Sequence, residues 1–388
     1  MTALRLTILL VAILLAAFSQ TVGLVPGSSL PGLTGTELEL FRLGLEDFVE
    51  VETAEDGLGP AFNGNSCAVC HSVPAVGGIS AMTEVRGGYR DENGSFTALN
   101  GGTLYHLFSI PDHQCQVQIP PEANVIGRRA PIPLFGAGLV EAIPDESLVA
   151  LEDPQDRDGD GVRGRASRIL DVATNRQRIG RFGWKAQQAT LLAFSGDAYR
   201  NEMGITNDLF PDEVALGIDA ARLKLCGARP GIQDVRNKRT RLRGIDNFEN
   251  FMRLLAPIAR GPVDDVVRQG EQIFRSIGCA MCHTPILMTG VSSNPIFDRK
   301  PVALYADLLL HDIGTGDGID QADALGSEIR TPALWGLRFR RPLLHDGSAA
   351  TAEDAILRHG REGARSRERV TDLPAQQKSA LLAFLGSL

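Results

Sequence analysis

Positive charge and cysteine are both scarce in this chain. Lys and Arg number 39 against 47 Asp and Glu, a formal charge of −8. That deficit argues against nucleic acid, whose phosphate backbone selects basic proteins. An acidic surface suits a basic redox partner instead. Past the first residues no apolar run reaches the ~20 residues that a membrane helix needs. Cys numbers six in 388 residues, and four of the six fall in two copies of one short pattern. Gly 42 and Pro 21 point to many loops, and the Gly- and Pro-rich stretch around 75–133 reads as loop. The length suffices for about two or three domains with proper cores.

The repeated pattern is Cys67-Ala68-Val69-Cys70-His71 and Cys279-Ala280-Met281-Cys282-His283. Cys-x-x-Cys-His is the attachment signature of a c-type haem. Thiols one helical turn apart each add to one vinyl group, and the adjacent His reaches the iron from below. Structural zinc is the alternative, but a site of four thiolates leaves both His residues without a role. Two covalently bound haems are therefore expected.

Residues 1–23 run from Arg5 through the apolar stretch Leu6 to Phe18 to small residues around Ser19, Thr21 and Gly23. That order is a secretory signal peptide, with an uncleaved anchor as the alternative. Export agrees with covalent haem, which is attached outside the cytoplasm, so a periplasmic protein without a membrane span after cleavage is expected. Val266, Val267, Ile273, Phe274 and Ile277 fit a helix leading into the second haem motif, with Gly270 small enough for close packing. Leu381, Leu382, Phe384 and Leu385 fit a closing helix. Residues 263–388 thus read as one cytochrome c domain, and the Pro-containing stretch 256–262 as its linker. Residues 24–262 read as a larger N-terminal haem domain with insertions. The fold class expected is mainly α, two cytochrome c-like haem domains with long loops.

Asp156, Asp158 and Asp160 alternate before Gly161, like the first half of a calcium loop. The twelfth position holds Ser167 rather than Glu. A calcium loop outside the EF-hand class and a plain acidic turn both remain open.

Further stretches include Gly136-Ala137-Gly138-Leu139-Val140-Glu141-Ala142-Ile143-Pro144, Arg181-Phe182-Gly183-Trp184-Lys185-Ala186-Gln187-Gln188, Arg330-Thr331-Pro332-Ala333-Leu334-Trp335-Gly336 and Leu344-His345-Asp346-Gly347. With the haem motifs they resemble the di-haem oxidoreductases, also labelled thiol oxidoreductases. That group is similar to bacterial di-haem cytochrome c peroxidases and to the di-haem enzyme that matures methylamine dehydrogenase. The resemblance covers nearly the whole chain after the signal segment. It implies a C-terminal electron-transfer haem, fed by a small redox protein or other donor, and an N-terminal haem where hydrogen peroxide or a similar oxidant is reduced.

Counting fourteen residues on from His345 reaches His359, where those peroxidases carry Met. The resemblance therefore implies a C-terminal haem held by His283 and His359, with a lowered potential; a helix-end role for His359 is the alternative. It implies a haem-side role for His345, touching a propionate or ordering a loop, while His311 reads equally as a core histidine. It implies His71 below the N-terminal iron and a distal segment at Arg181–Gln188. The catalytic Glu of the peroxidases is missing there, and Gln187 and Gln188 stand instead. Since Gln cannot move a proton, Glu141 and Glu202 are the candidate replacements; His106 or His113 could instead close that face. Trp184, more than Trp335, fits an electron relay. Cys115 and Cys226 are expected to form a disulfide in an oxidising compartment. A plain electron-transfer cytochrome, or an oxidase of thiols or side chains in a partner protein, is the alternative function.

Overall fold

The computed structural model describes residues 25–99, 102–110, 115, 117–215 and 218–388. The signal-like segment 1–23 and His113 lie outside them.

Five helices make the frame: α1 (Gly35–Val49), α2 (Leu191–Met203), α3 (Gly244–Leu254), α4 (Asp265–Ser276) and α5 (Ala375–Leu385). Their starts follow from local chemistry. Thr34 and Glu37 exchange side chain and backbone as a capping box at α1. Thr190 caps α2, and the Asp264 carboxylate accepts from Val267 N at 2.9 Å to open α4.

Two helix crossings repeat one device. Helix α1 meets α3 at Gly44, where a Cβ would collide with the Asn247 carbonyl and Phe251. Helix α4 meets α5 at Gly270, where a Cβ would collide with the Ala380 carbonyl. In each crossing the Gly-bearing helix precedes a Cys-x-x-Cys-His turn and its partner follows that turn in the chain, and only Gly lets the backbones approach so closely.

The remainder is less helical than expected. The Gly- and Pro-rich stretch that read as loop forms a four-stranded antiparallel sheet: β1 (Glu84–Arg90), β2 (Phe96–Thr97), β3 (Leu104–Tyr105) and β4 (Val125–Arg129). β1 lies at its centre and pairs with each of the others. Gly87 and Gly88 supply the space that the Tyr105 and Phe96 rings fill, so glycine here serves a strand rather than a turn. Short two-stranded ribbons follow, among them β5 (Ser167–Asp171) with β6 (Arg176–Gly180), and β7 (Leu310–His311) with β8 (Ile329–Arg330).

The larger core gathers Phe41, Phe48, Phe248 and Phe251 with Leu191, and also takes in Leu304, Leu308 and Trp335 from beyond residue 262. The smaller core joins α4 and α5 through Phe274 and Phe384, with Tyr305 and Val370. Cys115 and Cys226 are disulfide-bonded inside a third cluster with Tyr105 and Leu223. No described helix is long and apolar enough to cross a membrane.

Candidate functional site: two cavities joined by Trp184

Each Cys-x-x-Cys-His segment borders its own cavity. The first is lined by Cys67, Cys70 and His71 and encloses about 1210 Å³ of empty space, part of it open to solvent. The second is lined by Cys279, Cys282, His283 and His359 and encloses about 1320 Å³, again partly open.

The local turns are alike. Cys67–Cys70 is a single helical turn whose cap, Ser66, accepts from Ala68 N at 3.3 Å. Cys279–Met281 is a tighter turn opened by Gly278 at φ 95. In both, the His amide donates to the first Cys carbonyl, at 3.1 Å for His71 and 2.9 Å for His283.

Three imidazoles are held in the same way. His71 Nδ1 donates to Gly78 O at 2.9 Å, His283 Nδ1 to Tyr305 O at 3.1 Å, and His359 Nδ1 to Ala355 O at 2.8 Å. A proton fixed on Nδ1 leaves the Nε2 lone pair for a metal. Burial holds all three below the usual histidine range, and His283, with His359 nearby, is pushed down to about 4. Burial also pushes the Cys67, Cys70 and Cys279 thiols up to about 12. Thiols held neutral in separate cavities do not make a four-thiolate zinc site, which needs thiolates around one ion. Paired thiols and a buried neutral imidazole on the wall of one cavity fit a haem.

The first cavity has an unexpected charged wall. Period-two alternation along β1 puts Glu84 and Arg86 on one face, and the β1–β4 register sets Glu84 opposite Arg129. All three line the cavity. Arg86 grips Glu84 with two donors, Nε to Oε1 at 2.6 Å and Nη2 to Oε2 at 3.0 Å. Glu202, near the end of α2, meets Glu84 carboxyl to carboxyl and accepts from Asn63 Nδ2 at 2.8 Å. Burial, with the Glu84 charge beside it, pushes Glu202 up to about 8. Burial acts on Glu84 too, but the Arg86 guanidinium outweighs it and holds that carboxyl below its usual range. The pair therefore keeps one proton at neutral pH.

Trp184 borders both cavities. Its Nε1 donates to Ala130 O at 2.8 Å, and its ring stands edge-on to His345 at 6.2 Å. Gln187 lines the first cavity and His345 the second.

Glu141 lines neither cavity. Its carboxylate accepts from Leu191 N at 2.7 Å and from Arg253 Nε at 3.0 Å, which makes it a helix-start and ion-pair residue. His106 gives Nε2 to Asn201 O at 2.7 Å and does not line the first cavity. Trp335 packs in the larger core rather than between the cavities. His311 lines the second cavity with Nε2 on Asp307 and Nδ1 on Glu362, both at 2.9 Å. Burial opposes its charge, yet the Asp307 carboxylate, and after it the Cys282 sulfur, raise it well above the ordinary value. Asp156, Asp158 and Asp160 bring ligand oxygens within 4.8 Å of one another. Each spends an oxygen on a backbone N–H of the same loop, Gly161, Asp160 and Val162 in turn. Ser167 instead gives its hydroxyl to Ala186 O at 3.1 Å, as part of β5.

The family described as "Di-haem oxidoreductase, putative peroxidase" matches residues 113–388, and the chain belongs to that family of oxidoreductases. Its cofactors are accordingly haems. No curated protein matches the chain. Among solved structures, hydrazine synthase of Kuenenia stuttgartiensis is 16% identical over 96% of this chain and 98% of that one, at a TM-score of 0.42. A MauG-like protein associated with microbial copper homeostasis is 17% identical over 72% and 95%, at 0.33. The diheme peroxidase of Burkholderia thailandensis is 16% identical over 75% and 92%, at 0.31.

Proposed function

We propose that the protein is a periplasmic di-haem c-type oxidoreductase of the peroxidase kind, with one cytochrome c-like unit around each Cys-x-x-Cys-His turn. Cys67 with Cys70, and Cys279 with Cys282, would each carry one haem through thioether bonds. His71 and His283 would be the proximal ligands and His359 the second ligand in the C-terminal cavity. A bound haem supplies an iron that passes between ferric and ferrous states. The disulfide at Cys115 and Cys226 supports an oxidising compartment.

The carrying observation is the asymmetry of the cavities. His283 and His359 border one cavity together, whereas His71 is the one described imidazole bordering the other. The C-terminal cavity thus suits electrons arriving from a small redox protein or other donor. Trp184, on both walls, would carry them across. At the N-terminal cavity Glu84 would accept a proton from one oxygen of hydrogen peroxide while Glu202 gives its own to the other. Two electrons and two protons then turn peroxide into two waters.

Met82, Met203 and Met252 also border the N-terminal cavity and favour a second reading. A thioether there would close the iron, and the protein would be an electron carrier. Partner-thiol oxidation gains no such support, because Cys115 and Cys226 are bonded and buried. Cyanide titration of the haem-loaded protein tests the reading. One equivalent bound per chain is expected, and none would leave the carrier.

A further inference from the structure

Among the described residues six arginines are almost wholly buried: Arg86, Arg129, Arg181, Arg243, Arg330 and Arg340. The first four each hold a carboxylate, Glu84, Asp317, Asp145 and Asp246 respectively. Arg330 and Arg340 form no ion pair among the described residues. Arg330 donates Nε to Gly183 O at 2.7 Å and Nη1 to Thr331 O at 3.0 Å. Arg340 donates Nη1 to Ala333 O at 3.0 Å. Arg330 Nη2, and Arg340 Nε and Nη2, make no hydrogen bond among the described residues.

Both side chains line the C-terminal cavity. Burial, and for Arg330 also the nearness of Arg340, pushes each guanidinium down to about 10. Asp307 is close enough to favour the Arg330 charge, but its oxygens are committed to His311 Nε2 and Leu309 N, each at 2.9 Å. A chain that pairs its other buried arginines and leaves two like charges together has an anion missing from the account.

We infer that Arg330 and Arg340 form a cationic cradle for the two propionates of the haem in the C-terminal cavity. The inference rests on the reading that this cavity carries a haem. Charge matches, because two guanidiniums meet two carboxylates. Geometry matches too, since the planar guanidinium fork suits a carboxylate bidentately. The cradle is tied to the relay loop as well. Arg330 N donates to Trp184 O at 2.8 Å while its Nε holds Gly183 O. The propionate edge would therefore lie against the loop that carries Trp184. Two cations beside that edge favour the electron-rich ferrous state and set the potential of the centre.

The test uses the haem-loaded full chain and the variants Arg330→Met, Arg340→Met, Arg330→Lys and Arg340→Lys. Haem content, the resonance Raman band of propionate bending and the midpoint potential of the C-terminal haem are read for each. Two covalent haems per chain are expected throughout. Each Met variant should shift the propionate band and weaken electron affinity at least tenfold, about 59 mV for a one-electron couple. The N-terminal potential should stay in place. Each Lys variant should shift the band yet keep most of the potential, so the proposal remains testable if a Met variant does not fold. Two haems with an unmoved band and potential would overturn the cradle alone, leaving the arginines as ties to backbone carbonyls. Fewer than two covalent haems in the unaltered chain would overturn the haem reading and the cradle together.

Discussion

Glu84 and Glu202 share a hydrogen bond, carboxyl to carboxyl, on the wall of the cavity that also holds Cys67, Cys70 and His71. They come from distant parts of the chain, Glu84 from a strand and Glu202 from the last turn of a helix. Arg86 keeps the first ionised, and burial beside that charge keeps the second protonated. Titratable groups driven apart in this way mark an acid/base pair.

Replacing Glu202 by Gln should lower kcat/KM for hydrogen peroxide by roughly 10²–10⁴-fold, the usual contribution of a positioned acid or base. Glu141→Gln should stay within a few-fold, because Glu141 is spent on Leu191 N and Arg253. Steady-state peroxide consumption with a reduced donor compares the two. Equal losses would remove the carboxyl pair from the mechanism.

The pair also sets a pH limit. With Glu202 raised from 4.5 to about 8, the singly protonated pair persists through neutral pH and is lost above about 8. Peroxide turnover should therefore hold near pH 7 and fall on the alkaline side, and Glu202→Gln should abolish that limb. Stability follows the same sign. A raised carboxyl contributes fully below 4.5, and its contribution is lost as pH rises through about 8. Thermal melts of the wild type from pH 5 to 9, set against Glu202→Gln, separate this group from the rest of the chain.

The Cys115–Cys226 bond spans 111 residues and sits in a small core with Tyr105 and Leu223. Cys115→Ser should cost on the order of 2–5 kcal/mol of stability by chemical denaturation. Peroxide turnover per folded molecule should not change. Loss of turnover with stability intact would return these sulfurs to the chemistry.

His359 and His283 border one cavity with Nδ1 of each held by a backbone carbonyl. His359→Met should raise the potential of the C-terminal haem, since a thioether favours the ferrous iron more than imidazole does. Spectroelectrochemistry reads the shift. An unmoved potential would make His359 a helix-end residue.

Much of the frame was legible in residue order. The two Cys-x-x-Cys-His turns, the close helix contact at Gly270 and the pairing of Cys115 with Cys226 are local patterns or simple counts. Trp184 could be singled out because its neighbours formed a motif. The charged wall could not be, because Glu84, Arg86 and Arg129 meet only through the register of a sheet in a stretch whose glycines read as loop. Glu84-Val85-Arg86, with like-facing charges two apart, was the available signal. Glu141 shows the opposite case: it stands in a motif, and that motif closes a helix contact rather than a cavity. Arg330 and Arg340 show their meaning only once burial without a carboxylate is known.

The most direct measurement is an electron paramagnetic resonance spectrum of the oxidised, haem-loaded protein, recorded with and without peroxide. The account predicts one low-spin ferric signal that peroxide leaves alone, from the centre at His283 and His359. It predicts one high-spin ferric signal that peroxide removes, from the centre at His71. Two low-spin signals that ignore peroxide, before and after half-reduction, would contradict the account and make the protein an electron carrier.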